Sequence, residues 1–405
     1  MRVLVLSQYY DPEPVPIPAA LAQGLTARGH DVRVLTGYPN YPEGRLASGY
    51  RQRRRHSEMI NGIEVHRARL FISHSRNPLG RIASYLSFAL NAAFYRPAFA
   101  DIDVVYVYAT QMTAAIPAHR WKRKWAVPFV LHIQDLWPES VTGSSILGGG
   151  VSGLVGGILG GWLTRMYRSA SAVVAIGPRM RSILVERGAP VDHTYDVFNW
   201  AQLEDVVQRT PHHGTTIMYA GNLGAMQDLE TVVRAAASVA SVDGLRVVIV
   251  GAGVEETRLR TLATKLAADN VQFLGRVSPT EMAALYAESD FQLVTLRRLP
   301  IFEATVPSKL QASLAAGIPV ITTVAGDVAE LVLQNGLGFV SEPEDVEALA
   351  ATFRAAHETS GAERDDVSQR CRSFYTHALS RERGIDAIEK ILAGRARPRP
   401  QEGRV

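Results

Sequence analysis

The sequence predicts an α/β protein made of two doubly wound parallel-sheet domains. Two observations carry that expectation. Short apolar runs alternate with helix-period stretches along most of the 405 residues, and strand, helix and strand in quick succession make βαβ units with parallel pairing. The rhythm stops near Asn199 and restarts after Gly214, so two similar series of elements are present. Each series is an α/β domain in its own right, and the chain is long enough for both.

In order, Arg2 to Ser7 is a first apolar strand. Pro12, Pro14, Pro16 and Pro18 predict a stiff, extended loop. A helix is expected from Ala19 to Arg28, closed by Gly29, and Asp31 to Thr36 is the next strand. Asn61-Gly62 marks a hairpin turn before Ile63 to His66. Asp103 to Tyr108, Pro128 to Ile133 and Ala172 to Ile176 read as buried strands, the last followed by a helix reaching Gly188. The second series runs through strands at Thr216 to Gly221, Leu245 to Val250, Val271 to Leu274, Phe291 to Val294 and Pro319 to Thr322, with a helix from Leu229 to Ala240. The expected division is 1–200, 201–372, a further helix within 373–392, and a frayed tail over 393–405.

Composition narrows the class. Apolar residues make up 47% and charged residues 20% of the chain, as in a globular protein. A formal charge of +4 does not by itself require nucleic acid. The single Cys371 excludes an internal disulfide and an all-cysteine zinc site. Met1 to Leu6 reads as a strand, not a secretion signal, which makes a cytoplasmic setting the default. Val141 to Thr164 is uncharged but rich in glycine, and reads as a loop and a packed helix, not a membrane span. Ile82 to Tyr95 lies among Arg76, Arg81 and Arg96, with Arg51, Arg53, Arg54 and Arg55 nearby. That pattern fits peripheral docking on the inner face of a membrane or a core helix with a solvated basic flank. The basic and aromatic run His119 to Trp125 is too short to indicate nucleic-acid binding.

Four motifs bear on chemistry. Around Pro307, Ser308 and Lys309 begin a helix carrying Leu310, Leu314 and Ala315 on one face and stopped by Gly317. Free amides and the helix dipole make such a tip a seat for an anion, with an ordinary αβ unit as the alternative. Gly221, Asn222 and Gly224 follow a strand, where two close glycines either admit a phosphate to the backbone or make a tight turn. His132 and Asp135 stand at the carboxyl end of a strand, where open parallel sheets bind ligands. Trp137 is placed to stack on a sugar ring, and a capping role is the alternative for Asp135. Gly251-Ala252-Gly253 lacks the third glycine of a dinucleotide fingerprint, and Glu255 and Glu256 would repel a pyrophosphate, so NAD is not expected. No metal-ligand spacing and no Gly-x-Ser-x-Gly elbow is present.

Taken together, these runs resemble family 4 glycosyltransferases of the two-Rossmann (GT-B) architecture, in particular the WbuB-like branch of O-antigen and exopolysaccharide sugar transferases. The likeness spans residue 1 to about 390. It rests on Tyr9 to Glu13, Gly29 to Thr36, Tyr38 to Pro42, Asp135 to Glu139, Gly177 to Met180, Asn199-Trp200, Gly221 to Gly224, Pro307 to Leu310 with Ala315 to Gly317, and Gly326 to Leu331. The resemblance implies two Rossmann-like domains facing across a cleft. It implies retaining transfer of a hexosyl-type group from a nucleotide-sugar, UDP-linked by expectation, to a glycan or lipid-linked acceptor, without a metal or other cofactor. By the same analogy Asp135, Lys309 and His132 are the catalytic candidates. Gly221, Asn222, Gly224, Arg297, Glu303, Ser308, Leu310 and Glu330 would bind the donor, and Tyr10, Glu13, Tyr41 and Trp137 the acceptor.

Three departures stand against a simple carry-over. Val15 to Pro18 replaces glycines common in the family after the first strand. Asn222 and Gln227 stand where many members carry Arg and Lys. Ala312 stands where a ribose-binding glutamate is usual, a loss on the order of 1.5–3 kcal/mol of hydrogen bonding. Lys309, Arg297 or Arg298 is the expected substitute at the diphosphate, and Glu303 or Glu330 at the sugar or ribose. A non-catalytic GT-B paralogue serving as a partner subunit would account for the departures, and a nucleotide-sugar epimerase shares the architecture.

Overall fold

The computed structural model describes residues 1–72, 78–95, 101–137, 139, 152–202, 209–210 and 212–398. The chain divides into two compact units, one of residues 1–198 with 384–405 and one of residues 199–383.

In the first unit, β1 (Arg2–Ser7), β2 (Asp31–Gly37), β3 (Ser57–Ile60), β4 (Ile63–Ala68), β5 (Val104–Ala109), β6 (Phe129–Ile133), β7 (Ala172–Ala175) and β8 (Thr194–Asp196) form one sheet. Its order is β3-β4-β2-β1-β5-β6-β7-β8. Among the described residues only the β3–β4 pair is antiparallel, and its turn has positive φ at both Asn61 (50°) and Gly62 (76°), as a two-residue hairpin demands. Every residue of β5 is buried, as expected for a parallel strand covered on both faces. The covering helices are α1 (Pro16–Ala27), α2 (Pro78–Ala93), α3 (Ala115–Trp125), α4 (Ser152–Ser169) and α5 (Pro178–Glu186). The proline-rich loop is shorter than expected. Pro16 and Pro18 lie inside the first turn of α1, where a missing N–H costs nothing and the fixed φ is already helical.

The second unit holds β9 (Thr215–Ala220), α6 (Leu229–Ser238), β10 (Leu245–Val250), α7 (Glu256–Lys265), β11 (Val271–Gly275), α8 (Pro279–Ala287) and β12 (Phe291–Val294). It continues with α9 (Pro300–Glu303), α10 (Ser308–Ala316), β13 (Val320–Thr322), α11 (Asp327–Asn335), β14 (Gly338–Val340), α12 (Val346–Glu358) and α13 (Gly361–Phe374). The sheet is parallel, in the order β11-β10-β9-β12-β13-β14. One face packs Ile217, Ile249 and Leu293 against Val232 and Val233 of α6 and Phe353 of α12. The other packs Met218, Val248 and Val250 against Met282 and Leu285 of α8. Asp290, 1% exposed, accepts the N–H of Thr216 at 2.8 Å and pairs with Arg364 at 3.3 Å and with Arg209. Three partners make that buried carboxylate tolerable.

After α13 the chain forms α14 (Arg381–Ala393), which packs in the first unit from Gly384 onward. Glu389 takes Arg28 at 2.7 Å and His30 at 2.6 Å. A Cβ on Gly24 of α1 would stand 2.4 Å from Ile385 Cδ1, so glycine lets the two helices touch. The expected fraying of the tail is corrected for 394–398. Arg397 donates its backbone N–H to Asp103 O at 3.0 Å, and its side chain reaches the free carbonyls of Trp125 and Ala126 that end α3. Residues 399–405 lie outside the described residues, as does much of Val141 to Thr164, whose described part belongs to α4. Among the described residues no helix is long and apolar enough to cross a membrane, and no cluster of three or more His, Cys, Asp or Glu side chains is placed to hold a metal ion.

Candidate functional site

In the second unit the strand order reverses between β9 and β12. Ligands of open parallel sheets bind beyond the carboxyl ends of the strands at such a reversal. Gly221 follows β9, and the segment after β12 leads into α10, whose second residue is Lys309. The two meet: a Cβ on Gly221 would stand 2.4 Å from Lys309 Cε and 2.9 Å from Nζ. The ammonium lies 4.6 Å from the ring centroid of Tyr219, and the Tyr219 hydroxyl donates to Asn222 O at 2.7 Å. Lys309 is half-buried, and no carboxylate pairs with it among the described residues. Desolvation lowers its pKa to about 8.

The tip of α10 adds polarity of the same sign. Pro307 precedes it and no side chain caps it, so its first-turn amides are open to a ligand. Ser308 is exposed there, while Leu310 is fully buried in the core. Gly317 closes the helix at φ 74°. A cavity of about 350 Å³ adjoins Gly221 and Asn222, lined also by Gly251, Arg276, Val277 and Met282. The glycine pair that suggested a dinucleotide is explained by packing. A Cβ on Gly251 would sit 1.9 Å from Gly221 O, and one on Gly253 would sit 2.2 Å from Leu223 O. Those glycines let two loops touch.

The remaining donor candidates scatter. Gly224 lies under the side chains of Asn222 and Gln227. Arg297 reaches Glu344 at 3.3 Å and lines a separate cavity with Asp228 and Gly224. Arg298 reaches Glu342 at 3.0 Å. Both guanidiniums thus face acids of the β14–α12 loop in exposed, solvent-screened pairs. Glu303 and Glu330 are exposed, and the Gly326 turn before α11 abuts the Glu303 backbone. Ala312 is half-buried. Gln311 beside it is 1% exposed with no partner for Oε1 among the described residues, a buried polar atom that helical periodicity alone did not flag.

In the first unit Asp135 reaches solvent beyond β6, yet enough protein surrounds its carboxyl that desolvation raises its pKa to about 6. Its charge is felt by Tyr85 and Tyr108. Trp137, 7% exposed, has its ring 6.3 Å from that of Tyr85. Tyr41, 48% exposed, lies 5.4 Å from Tyr9. The result is a cluster of aromatic rings beside one carboxylate, and Tyr9 and Tyr85 were not among the site candidates read from the sequence. His132 differs from its expected role. It is fully buried between Tyr106 and Tyr108, its Nδ1 is 2.6 Å from the Tyr106 hydroxyl, and burial lowers its pKa to about 3. A ring without exposed surface has no access to a substrate hydroxyl. Tyr10 and Glu13 are likewise buried. The Glu13 carboxylate accepts the N–H groups of Tyr10, Asn40 and Tyr41 at 3.2, 2.8 and 2.9 Å, so it ties two loops together.

Comparison with known proteins matches this division. Residues 16–197 fit the family described as glycosyl transferase 4-like domain, and residues 203–374 fit glycosyl transferases group 1. The chain belongs to the GT-B glycosyltransferases. This glycosyltransferase is 29% identical to WcaI of Escherichia coli strain K12, provisionally assigned to colanic acid biosynthesis as a glycosyl transferase, over 88% of the chain and 92% of the relative. It is 24% identical to a GDP-mannose-dependent alpha-mannosyltransferase of Mycobacterium tuberculosis, over 84% and 83%. Its fold is that of Anabaena HepE, solved with UDP (TM-score 0.66, 15% identity, 97% and 100% coverage). It is also that of a sucrose-phosphate synthase from Thermosynechococcus elongatus (TM-score 0.71, 14% identity, 97% and 99% coverage).

Proposed function

We propose that this glycosyltransferase moves a hexosyl-type group, with retention, from a UDP-sugar to a glycan or lipid-linked acceptor in polysaccharide biosynthesis, as a member of the WbuB-like branch. One observation carries the donor half: an unpaired, partly desolvated ammonium, Lys309, held against Gly221 where the strand order reverses. A cation that has lost water and has no carboxylate partner gains most from an incoming anion. As the bond from the anomeric carbon to the phosphate oxygen breaks, the electron pair leaves with the nucleoside diphosphate, the acceptor hydroxyl oxygen bonds to the anomeric carbon, and its proton passes to the departing phosphate oxygen. Lys309 and the open amides of α10 neutralise that charge, so the reading needs no metal ion. Asp135, ionised above about pH 6, supplies negative charge to the reacting sugar, and the aromatic rings beside it bind the acceptor. Support for a nucleotide-sugar comes from the relatives, since HepE was solved with UDP and the mycobacterial enzyme is GDP-mannose-dependent.

Titration calorimetry with UDP and with GDP tests this. UDP is expected to bind more tightly, and turnover is expected to persist in a chelator. Binding of neither nucleotide would leave the chain a non-catalytic paralogue. A sugar altered in donor alone, followed by product NMR, would make it an epimerase.

A further inference from the structure

Helix α2 turns two unlike faces outward and inward. Inward, Ser84 and Phe88 are buried, Gln8 Nε2 lies 3.4 Å from Ser84 Oγ, and Tyr85 stands beside Trp137 in the aromatic cluster. Outward, Leu86, Leu90 and Phe94 recur every four residues and are 42%, 56% and 69% exposed. A helix face turned to water ordinarily carries polar side chains. Here Ala83 is exposed with them, and Arg81 and Asn91 are the exposed polar residues of that helix.

The surroundings extend that ridge with one sign of charge. Phe71, 53% exposed, donates its N–H to Ser87 Oγ of α2 at 2.7 Å. Gln52 clasps the preceding residue, accepting the Leu70 N–H at 2.9 Å and donating to Leu70 O at 3.0 Å. The loop of Arg51, Arg53, Arg54 and Arg55 therefore borders the ridge. All four are exposed, and none forms an ion pair among the described residues. At the other end the Arg120 guanidinium lies 4.6 Å from the ring centroid of Phe94. No Asp or Glu occurs between residues 44 and 57, 65 and 100, or 104 and 134.

We propose that this face docks the first unit on an anionic lipid bilayer. Leu86, Leu90, Phe94 and Phe71 enter the interface while Arg51, Arg53, Arg54, Arg55 and Arg120 lie among the headgroups. An apolar stripe with a wholly basic flank is the arrangement that interfacial helices use. A second copy of the chain is disfavoured, because a two-fold contact through this face would set its arginines near one another. The proposal also bears on the acceptor reading above. Tyr85 and Leu86 are consecutive, so the helix that meets the bilayer also carries one ring of the aromatic cluster near Asp135, and a lipid-linked acceptor would reach that cluster from the docked face.

Vesicle flotation of the full chain, with no donor or acceptor present, tests the docking separately from transfer. Vesicles of phosphatidylcholine with phosphatidylglycerol are expected to carry the protein, and pure phosphatidylcholine vesicles to leave it behind. A variant combining Leu86→Ser, Leu90→Ser and Phe94→Ser should bind at least ten-fold more weakly and keep the wild-type circular dichroism, its melting temperature falling by only a few degrees because serine favours a helix less than leucine. Replacing Arg53, Arg54 and Arg55 by Gln should weaken binding by about ten-fold or more, as should raising the salt. Failure of the wild-type chain to float with phosphatidylglycerol, or undiminished flotation of the Ser variant, would overturn the proposal. So would a concentration-dependent dimer that the Ser variant abolishes, which would make a second copy the occupant.

Discussion

Replacing Lys309 by Met keeps the length of the side chain and removes its charge. Because burial lowers the pKa from 10.5 to about 8, holding the ammonium in the folded chain costs about 3 kcal/mol by linkage, or about 1–2 kcal/mol after allowing for the solvent it retains. The lysine's folded pKa lies below its unfolded value. Its penalty is therefore fully present below pH 8 and fades as pH rises toward 10.5. Without nucleotide, Lys309→Met should melt higher than wild type by about 3–6 °C at pH 7 in the transition of the second unit, and the gap should close near pH 10. Activity should move the other way. Losing a charge-assisted contact of about 1.5–3 kcal/mol should weaken UDP binding by roughly ten- to a hundred-fold and lower kcat/KM by at least as much. Thermal melts across pH, with and without UDP, together with calorimetry, check both halves. A variant that melts no higher and binds UDP as tightly as wild type would refute the account of Lys309 as a desolvated anion seat.

Two further outcomes follow from the same geometry. The pH profile of kcat/KM should rise through about 6 as Asp135 ionises and fall above about 8 as Lys309 loses its proton; a flat profile between pH 5 and 9 would remove one or both groups from the reaction. Gly221→Ala would drive a methyl group to within 2.4 Å of Lys309 Cε, so the lysine must move aside. UDP binding should fall about ten-fold or more by calorimetry, with little change in circular dichroism.

The fold was legible because its signals are local. Buried strands such as β5, the Asn61-Gly62 turn and the Gly317 stop are set by residues adjacent in sequence. The meeting of Gly221 and Lys309 was legible in part, since each marks an end of a strand or the start of a helix, and the topology brings those points to one place. What failed depended on partners distant in sequence. Arg297 and Arg298 face Glu344 and Glu342 from another loop, a pairing that no local spacing reveals. His132 sits one step inside the sheet from the carboxyl end, and its neighbour Tyr106 comes from a different strand. Glu13 is consumed by backbone amides of the loop after β2. The Gly251–Gly253 pair, from which no dinucleotide was expected, serves a close approach to Gly221 and Leu223, which its own spacing does not show.

Arg187, just beyond α5, extends the argument from the residue that carries charge to the one that positions it. Its Nη1 donates to Trp137 O at 2.8 Å and to Glu139 Oε2 at 3.0 Å, and Nη2 donates to Glu139 Oε1 at 2.7 Å. One guanidinium thus holds both a carbonyl and a carboxylate of the Asp135–Glu139 segment, and Arg187 keeps the Glu139 carboxyl below its usual range despite partial burial. Lysine cannot reproduce this fork. Arg187→Lys should therefore lower kcat by about ten-fold while leaving the KM for donor within two-fold, because the proposed donor residues belong to the other unit. A merely structural role would stop there. If Arg187 positions Asp135, loosening the segment should let water reach that carboxyl, and the acid limb of the pH profile should slide from about 6 toward the ordinary Asp value near 4. Loss of rate with the limb still at about 6 would mean that Arg187 supports the loop without setting the environment of the carboxylate.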